Sequence, residues 1–311
     1  MVKNKTMRRG VTLFITLSII AAMLALIGVV FKYLETARAE AEVKASLIQG
    51  NILYADARSA IRRLLGKTPR NSTYKTFYTT PLANAAEGGE FGAMIQCSPI
   101  ADRPNIAWLG MDGDRNHPFH FEVAEKIFES ITQKVNLVDP SGLHQMIVDA
   151  LKQKKLKRFN ILSNINKKKG TISLREFQSI LDSYRYEADD PKVYSIPWQT
   201  WFAFGEDLGK IDSNFIKPEV LAAIFDIDLR LIQGEDGFAM GDSLKRFLEE
   251  NGLDLSLYEW HTRDKKHELF AKNHPVDAME CTISYAFRDG QYAFRFGYIN
   301  KRVVNFEFSG H

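Results

Sequence analysis

The chain has 311 residues, a formal net charge of +3, 45% hydrophobic and 25% charged residues. That apolar content excludes an intrinsically disordered chain and is enough for a sizeable folded core. The charge is small, and setting aside the four cations of the first ten residues leaves −1, which excludes a global basic field that would draw in nucleic acid.

Lys3, Lys5, Arg8 and Arg9 precede Gly10 with no acidic residue among them. At once 21 residues without a charge follow, VTLFITLSIIAAMLALIGVVF over 11–31. As a helix they span about 30 Å, the thickness of a hydrocarbon core. No side chain there carries the roughly 2.5–3.5 kcal/mol insertion cost of a charge at the bilayer centre. Lys32, Glu35, Arg38, Glu40 and Glu42 follow with mixed sign, so the positive-inside bias puts the short N-terminus in the cytoplasm. A cleaved secretory signal is a competing reading, because Ala37-Arg38-Ala39 has the small-x-small form. Its apolar run exceeds the 7–15 residues, roughly, of an h-region, and charges separate it from that site. A plain signal anchor explains the hydrophobicity but not the abrupt Arg-Arg-Gly junction.

The helical pattern continues past the membrane. Leu34, Ala37, Ala41, Ala45, Ile48, Ile52 and Ala55 recur at three- and four-residue spacing with charges between them. No proline appears before Gly66-Lys67-Thr68-Pro69, and Gly50 is the one weak point, costing roughly 1 kcal/mol in a helix. One helix from about Val11 to Leu65 is expected, its second half packed on a soluble domain along that stripe; a coiled-coil stalk is the bland alternative.

Phe91–Ile100 reads as a strand. Phe121, Ala124, Phe128 and Ile131 mark one helical face, and Leu143, Met146, Ile147, Ala150 and Leu151 another. Ser173 and Glu176 form a capping box for a helix through about Tyr184. Pro218 suits a first helical turn. Leu244, Phe247 and Leu248 face one way before Asn251-Gly252 stops their helix. Trp198, Trp201, Phe202 and Phe204 read as a core strand, with partner binding as the other option. Cys281–Phe287, the turn Arg288-Asp289-Gly290-Gln291 and Tyr292–Ile299 give a hairpin signal, and Asn300-Lys301 turns the chain into Val303–Phe308.

A basic leader ending in glycine, the run VTLFITLSIIAAMLALIGVV and an amphipathic continuation resemble the class III signal of the type IV pilin-like superfamily. In that family a prepilin peptidase cuts after the glycine and methylates the new N-terminus. The resemblance implies cleavage between Gly10 and Val11, with Val11 N-methylated. Most members carry glutamate at the fifth mature position; this chain has Ile15. That departure, together with chain length, is similar to the minor pseudopilin K (general secretion pathway protein K) family of type II secretion systems. The stretch Gly209-Lys210-Ile211-Asp212-Ser213-Asn214, followed by Pro218-Glu219-Val220-Leu221-Ala222, resembles the same family, as does Thr171-Ile172-Ser173-Leu174-Arg175-Glu176-Phe177. At Val148-Asp149-Ala150-Leu151 the chain departs from it.

The resemblance implies an α+β fold: a long N-terminal transmembrane and amphipathic helix, a pilin-like antiparallel β-sheet and a large inserted helical subdomain. The expected divisions are a leader over 1–10, a transmembrane helix over 11–31, its periplasmic continuation over 32–66, and a domain over 67–311 with a mainly helical insertion at about 118–275. The implied role is a minor pseudopilin that caps or initiates the periplasmic pseudopilus of type II secretion. Its implied partners are other minor pseudopilins in a tip complex, the prepilin peptidase, the inner membrane and secreted proteins. A minor pilin of a type IV pilus or DNA-uptake system is the alternative.

The remaining candidates are weaker. Cys97 and Cys281 are the only cysteines, both in expected strands. In an oxidising periplasm they suit one disulfide, with two buried thiols as the alternative. Asp112-Gly113-Asp114-Arg115-Asn116 places oxygens at alternate positions, but His117 and Val123 stand where a calcium loop needs glycine and glutamate, so a surface turn is the better reading. Asp189-Asp190 and Asp226/Asp228 are similar. Lys152, Lys154, Lys155, Lys157, Arg158 and Lys167–Lys169 read as a solvated face, with nucleic acid not an expected partner. His117, His120 and His267-Glu268 lack metal-site spacing. No catalytic constellation and no cofactor signature is found, so an enzyme is not expected.

Overall fold

A computed structural model describes residues 4–65, 71–85, 91–114, 117–152, 171–206, 208–234, 238, 242–259, 268–272, 275–287, 290–299 and 302–310. The first element, α1 (Asn4–Leu65), is a single helix of 62 residues, about 90 Å long by its rise. Proline is absent from it and its glycines are isolated, so nothing in its sequence forces a break. Next come α2 (Asn71–Thr79), β1 (Leu82–Ala85) and β2 (Phe91–Pro99).

The chain then leaves the sheet and turns helical. A 3₁₀ turn (Ile106–Gly110) leads into α3 (Pro118–Val135), α4 (Pro140–Lys152) and α5 (Leu174–Ala188). A second 3₁₀ turn (Pro191–Ser195) precedes α6 (Trp198–Trp201), the two-residue β3 (Ile211–Asp212), α7 (Pro218–Phe225), α8 (Leu229–Gln233), α9 (Leu244–Glu250), α10 (Ser256–Glu259) and β4 (Phe270–Ala271). The chain closes with β5 (Ala278–Phe287), β6 (Gly290–Ile299) and β7 (Arg302–Gly310). The larger sheet has the order β1-β2-β5-β6-β7 and every pair in it is antiparallel; β3 and β4 pair separately and in parallel. The fold is thus α+β, with residues 100–277 inserted between two adjacent strands.

Local chemistry explains the helix ends. Ser173 and Glu176 make the capping box reciprocally, Ser173 N donating to Glu176 Oε2 at 3.0 Å and Glu176 N to Ser173 Oγ at 3.3 Å. Pro218 occupies the first turn of α7, where its missing N–H costs nothing. Lys126 of α3 reaches the other end of α7, donating to Ile224 O at 3.0 Å and to Asp226 at 2.6 Å. Gly252, with φ +64°, supplies the left-handed residue after α9.

Among the described residues two hydrophobic cores result. The body core packs Ala57, Ile61 and Leu65 of α1 and Tyr74 and Phe77 of α2 on the inward face of the sheet, which carries Cys97, Met279, Cys281, Ile283, Tyr285, Phe294, Phe296 and Tyr298. The insertion has its own core around Trp108, Ile127, Phe128, Leu143, Ile147, Phe177, Trp198, Phe202 and Leu221.

Two expectations about packing are corrected. The stripe from Leu34 to Ala55 does not face the sheet: Ile48 remains 63% exposed and Ile52 50%. The gripping face is Ser46, Gly50, Leu53, Tyr54, Ala57, Ile61 and Leu65, on the opposite side of the helix from that stripe. Small residues win there because aromatic rings must fit beneath the helix axis. Trp198–Phe204 is also not a strand. Trp198–Trp201 is one helical turn, and Phe202 and Ala203 follow as buried extended residues, Ala203 bridging Asn105.

Candidate functional site

From Leu13 to Ala41 every residue of α1 is exposed. Leu13, Phe14, Leu17, Ile20, Leu24, Ile27 and Phe31 all present apolar surface to the outside. Surface of that extent is covered by something in the working state. Among the described residues this is the one helix long and apolar enough to cross a membrane. Gly10 and Val11 lie inside the same helix with no backbone break between them. Ile15 sits one turn further on and is 51% exposed, an uncharged position on an uncharged surface. A carboxylate there would be stable in lipid only with a cationic partner.

Below Glu42 the helix is held. Tyr285 of β5 donates its hydroxyl to Ser46 O at 2.6 Å. Burial, and next the neighbouring Tyr292, push the Tyr285 phenol up to about 12, so it stays protonated as a donor. Phe294 of β6 stacks on Tyr285 with ring centroids 5.8 Å apart. Gly50 lies directly over this pair: a Cβ there would collide with the Phe294 ring and stand 2.7 Å from the Tyr285 hydroxyl oxygen. Tyr54 meets Phe296 edge-on at 5.3 Å. The weak point of the helical pattern is therefore a point of close approach between helix and sheet.

The structure joins Cys97 to Cys281 by a disulfide. The two residues are direct register partners on β2 and β5, and both are buried. They are brought together across a sequence separation of 184, so the bond closes the loop that contains the whole helical insertion.

The other candidates serve local structure. His117 Nδ1 lies 3.0 Å from Asp114, and His120 Nε2 lies 2.9 Å from Gly209 O, its ring edge-on to Trp108. Asp190 accepts from Val138 N at 2.8 Å and Lys192 N at 3.1 Å, and Asp228 accepts from Arg230. Among the described residues no three His, Cys, Asp or Glu side chains come together in a metal-binding group. Arg115, Asn116, His267 and the basic run from Lys154 to Lys169 lie outside the described residues.

No family model matches the sequence, and no curated protein matches it. The fold does have a solved counterpart. A chain in the crystal structure of the GspK-GspI-GspJ complex from the enterotoxigenic Escherichia coli type 2 secretion system aligns with a TM-score of 0.54. The alignment covers 88% of this chain and 99% of that one at 11% sequence identity, so the likeness is one of fold.

Proposed function

We propose that this chain is a minor pseudopilin of K type, a structural subunit that caps or initiates the periplasmic pseudopilus of a type II secretion system. The observation that carries the reading is the long helix. From Leu13 to Phe31 it is uncharged on every side and exposed; its second half grips an antiparallel sheet; and the whole has the fold of a chain from a type 2 secretion complex. Arg8-Arg9-Gly10 in front of that helix adds the processing signal. In this reading residues 1–10 are a leader removed between Gly10 and Val11. Residues 11–31 hold the subunit in the inner membrane, N-terminus in the cytoplasm, until assembly moves them into the filament. Residues 67–311 stand in the periplasm, where the Cys97–Cys281 bond is chemically at home.

Ile15 supports the terminal position. A buried glutamate in a pilin helix demands a cationic neighbour, and an isoleucine makes no such demand. A subunit without that demand fits the end of a filament. The partners are then the other minor pseudopilins and the prepilin peptidase, with secreted proteins as contacts of the finished tip, and the role requires no catalysis. Replacing residues 11–31 by an unrelated single-pass helix tests this. Loss of protein export and of co-isolated minor pseudopilins, with the chimera still in the membrane, is the expected result. Export at the parental level would overturn the proposal.

A further inference from the structure

The two cores meet at a narrow neck. The chain leaves the sheet after Pro99 and returns at Ala278, where Ile100 N donates to Ala278 O at 3.3 Å. Two adjacent backbone crossings define an axis about which an inserted unit can still swing. One segment of the insertion reaches back across that axis. Asp212 N donates to Ala101 O on the outgoing crossing at 2.7 Å. The Asp212 carboxylate accepts from Val276 N on the returning crossing at 2.7 Å, and from Asn214 N at 3.0 Å and Asn214 Nδ2 at 3.1 Å. Asn214 Oδ1 accepts from Asn71 Nδ2 of α2 at 2.9 Å. Phe215, 1% exposed, is the residue of the insertion that joins the body core, its ring centroid 4.9 Å from Tyr78 and 6.4 Å from Tyr74. Lys217 N donates to Asp102 O at 3.0 Å, and its ammonium lies 3.7 Å from the Asp102 carboxylate, which Arg103 also approaches at 3.2 Å.

We propose that residues Asp212–Lys217 are a linchpin that sets the orientation of the helical insertion on the helix-and-sheet body, whereas the disulfide ties the neck without setting that orientation. Attachments at both crossings and, off their axis, at α2 remove the swing that the crossings alone permit. The Cys97–Cys281 bond links two strands already opposed in the sheet, so its constraint lies within the body. Asp102 and Asp212 are almost fully buried, at 3% and 2% exposure, yet both carry polar partners. Buried polar groups held in this way fix geometry more than they add stability. The inference does not depend on the assembly reading.

The test uses the full chain in detergent with spin labels on Arg58→Cys of α1 and Tyr186→Cys of α5, both exposed positions. The parent gives one narrow distance distribution. Asn214→Ala/Phe215→Ala broadens it by roughly twofold or more as swung states become populated, while amide-exchange protection in α3 and α5 stays at the parental level. Cys97→Ala/Cys281→Ala leaves the width unchanged, with Cys97→Val/Cys281→Ala as a second version that refills the space. An unchanged width in the Asn214/Phe215 variant overturns the proposal, and so does equal broadening in both disulfide variants. Loss of α3 and α5 protection in the Asn214/Phe215 variant also overturns it, because the segment would then hold the insertion together rather than aim it.

Discussion

The two halves of α1 share one backbone and obey different rules. From Leu13 to Ala41 large, small, apolar and charged side chains follow one another, and none is buried. From Ser46 to Leu65 one face is buried: its upper end is small, Ser46 and Gly50, and the half-buried Leu53 and Tyr54 and the buried Ala57, Ile61 and Leu65 lie below. The difference teaches what each half is shaped for. A surface that meets lipid, or several helices in turn, needs no fixed relief. A surface that meets one particular sheet must leave room for Tyr285 and Phe294.

The contrast can be broken from the sheet side first. Phe294→Ala removes the ring beneath Gly50 and should cost about 4 kcal/mol, as large-to-small core changes do, read as a lower denaturant midpoint for the full chain in detergent. Leu24→Arg attacks the other half. It should raise the insertion free energy by roughly 3 kcal/mol and deplete the membrane fraction, while the denaturant midpoint of the sheet stays put. Gly50→Ala overpacks the grip and should cost about 2 kcal/mol. A truncation on the opposite face, Ile48→Ala, should stay within about 0.5 kcal/mol. An equal loss from both would erase the distinction between the two faces.

A pH-dependent effect lies at the neck, apart from both halves. Burial raises Asp212 to about 6, against the backbone N–H groups of Val276 and Asn214 and the Asn214 amide, which pull it down. Tyr74, Tyr78 and Asp277 stand close enough to be coupled to its environment. Burial raises Asp102 to about 6 as well, opposed first by Arg103 and then by Lys217. A folded-state value above the unfolded one means the folded chain holds the proton more tightly. The contribution is therefore complete below the ordinary carboxylate range and is lost as pH rises through about 6. Taking pH from 7 to 5 should stabilise the parent by about 1 kcal/mol through each of Asp212 and Asp102, and Asp212→Asn should remove about half of that gain in paired melts.

The parts that local pattern governs were legible. The antiparallel strands from Phe91 and from Cys281 onward, the Ser173–Glu176 capping box, Pro218 and the Asn251-Gly252 stop all follow from short-range rules. β1 escaped because Leu82-Ala83-Asn84-Ala85 has little strand propensity; it is a strand through its pairing with β2. β3 and β4 escaped because Ile211 meets Phe270 only through long-range contact. The face of α1 was misread for a physical reason. Counting apolar residues favours Ile48 and Ile52, whereas a helix pressed on aromatic rings selects the smallest side chains. The Ser46, Gly50, Ala57 spacing carried that signal. The Asp212 hub was illegible beyond its local turn onto Asn214, since its other partners come from residues 101 and 276.

The central claim is that the uncovered half of α1 begins as a processed filament spine. The intact mass of the protein purified from cells that contain prepilin peptidase tests it most directly. A processed spine starts at Val11 with one added methyl group, and the chain stays intact when the peptidase is absent. A chain that keeps Met1–Gly10 in peptidase-containing cells would contradict it.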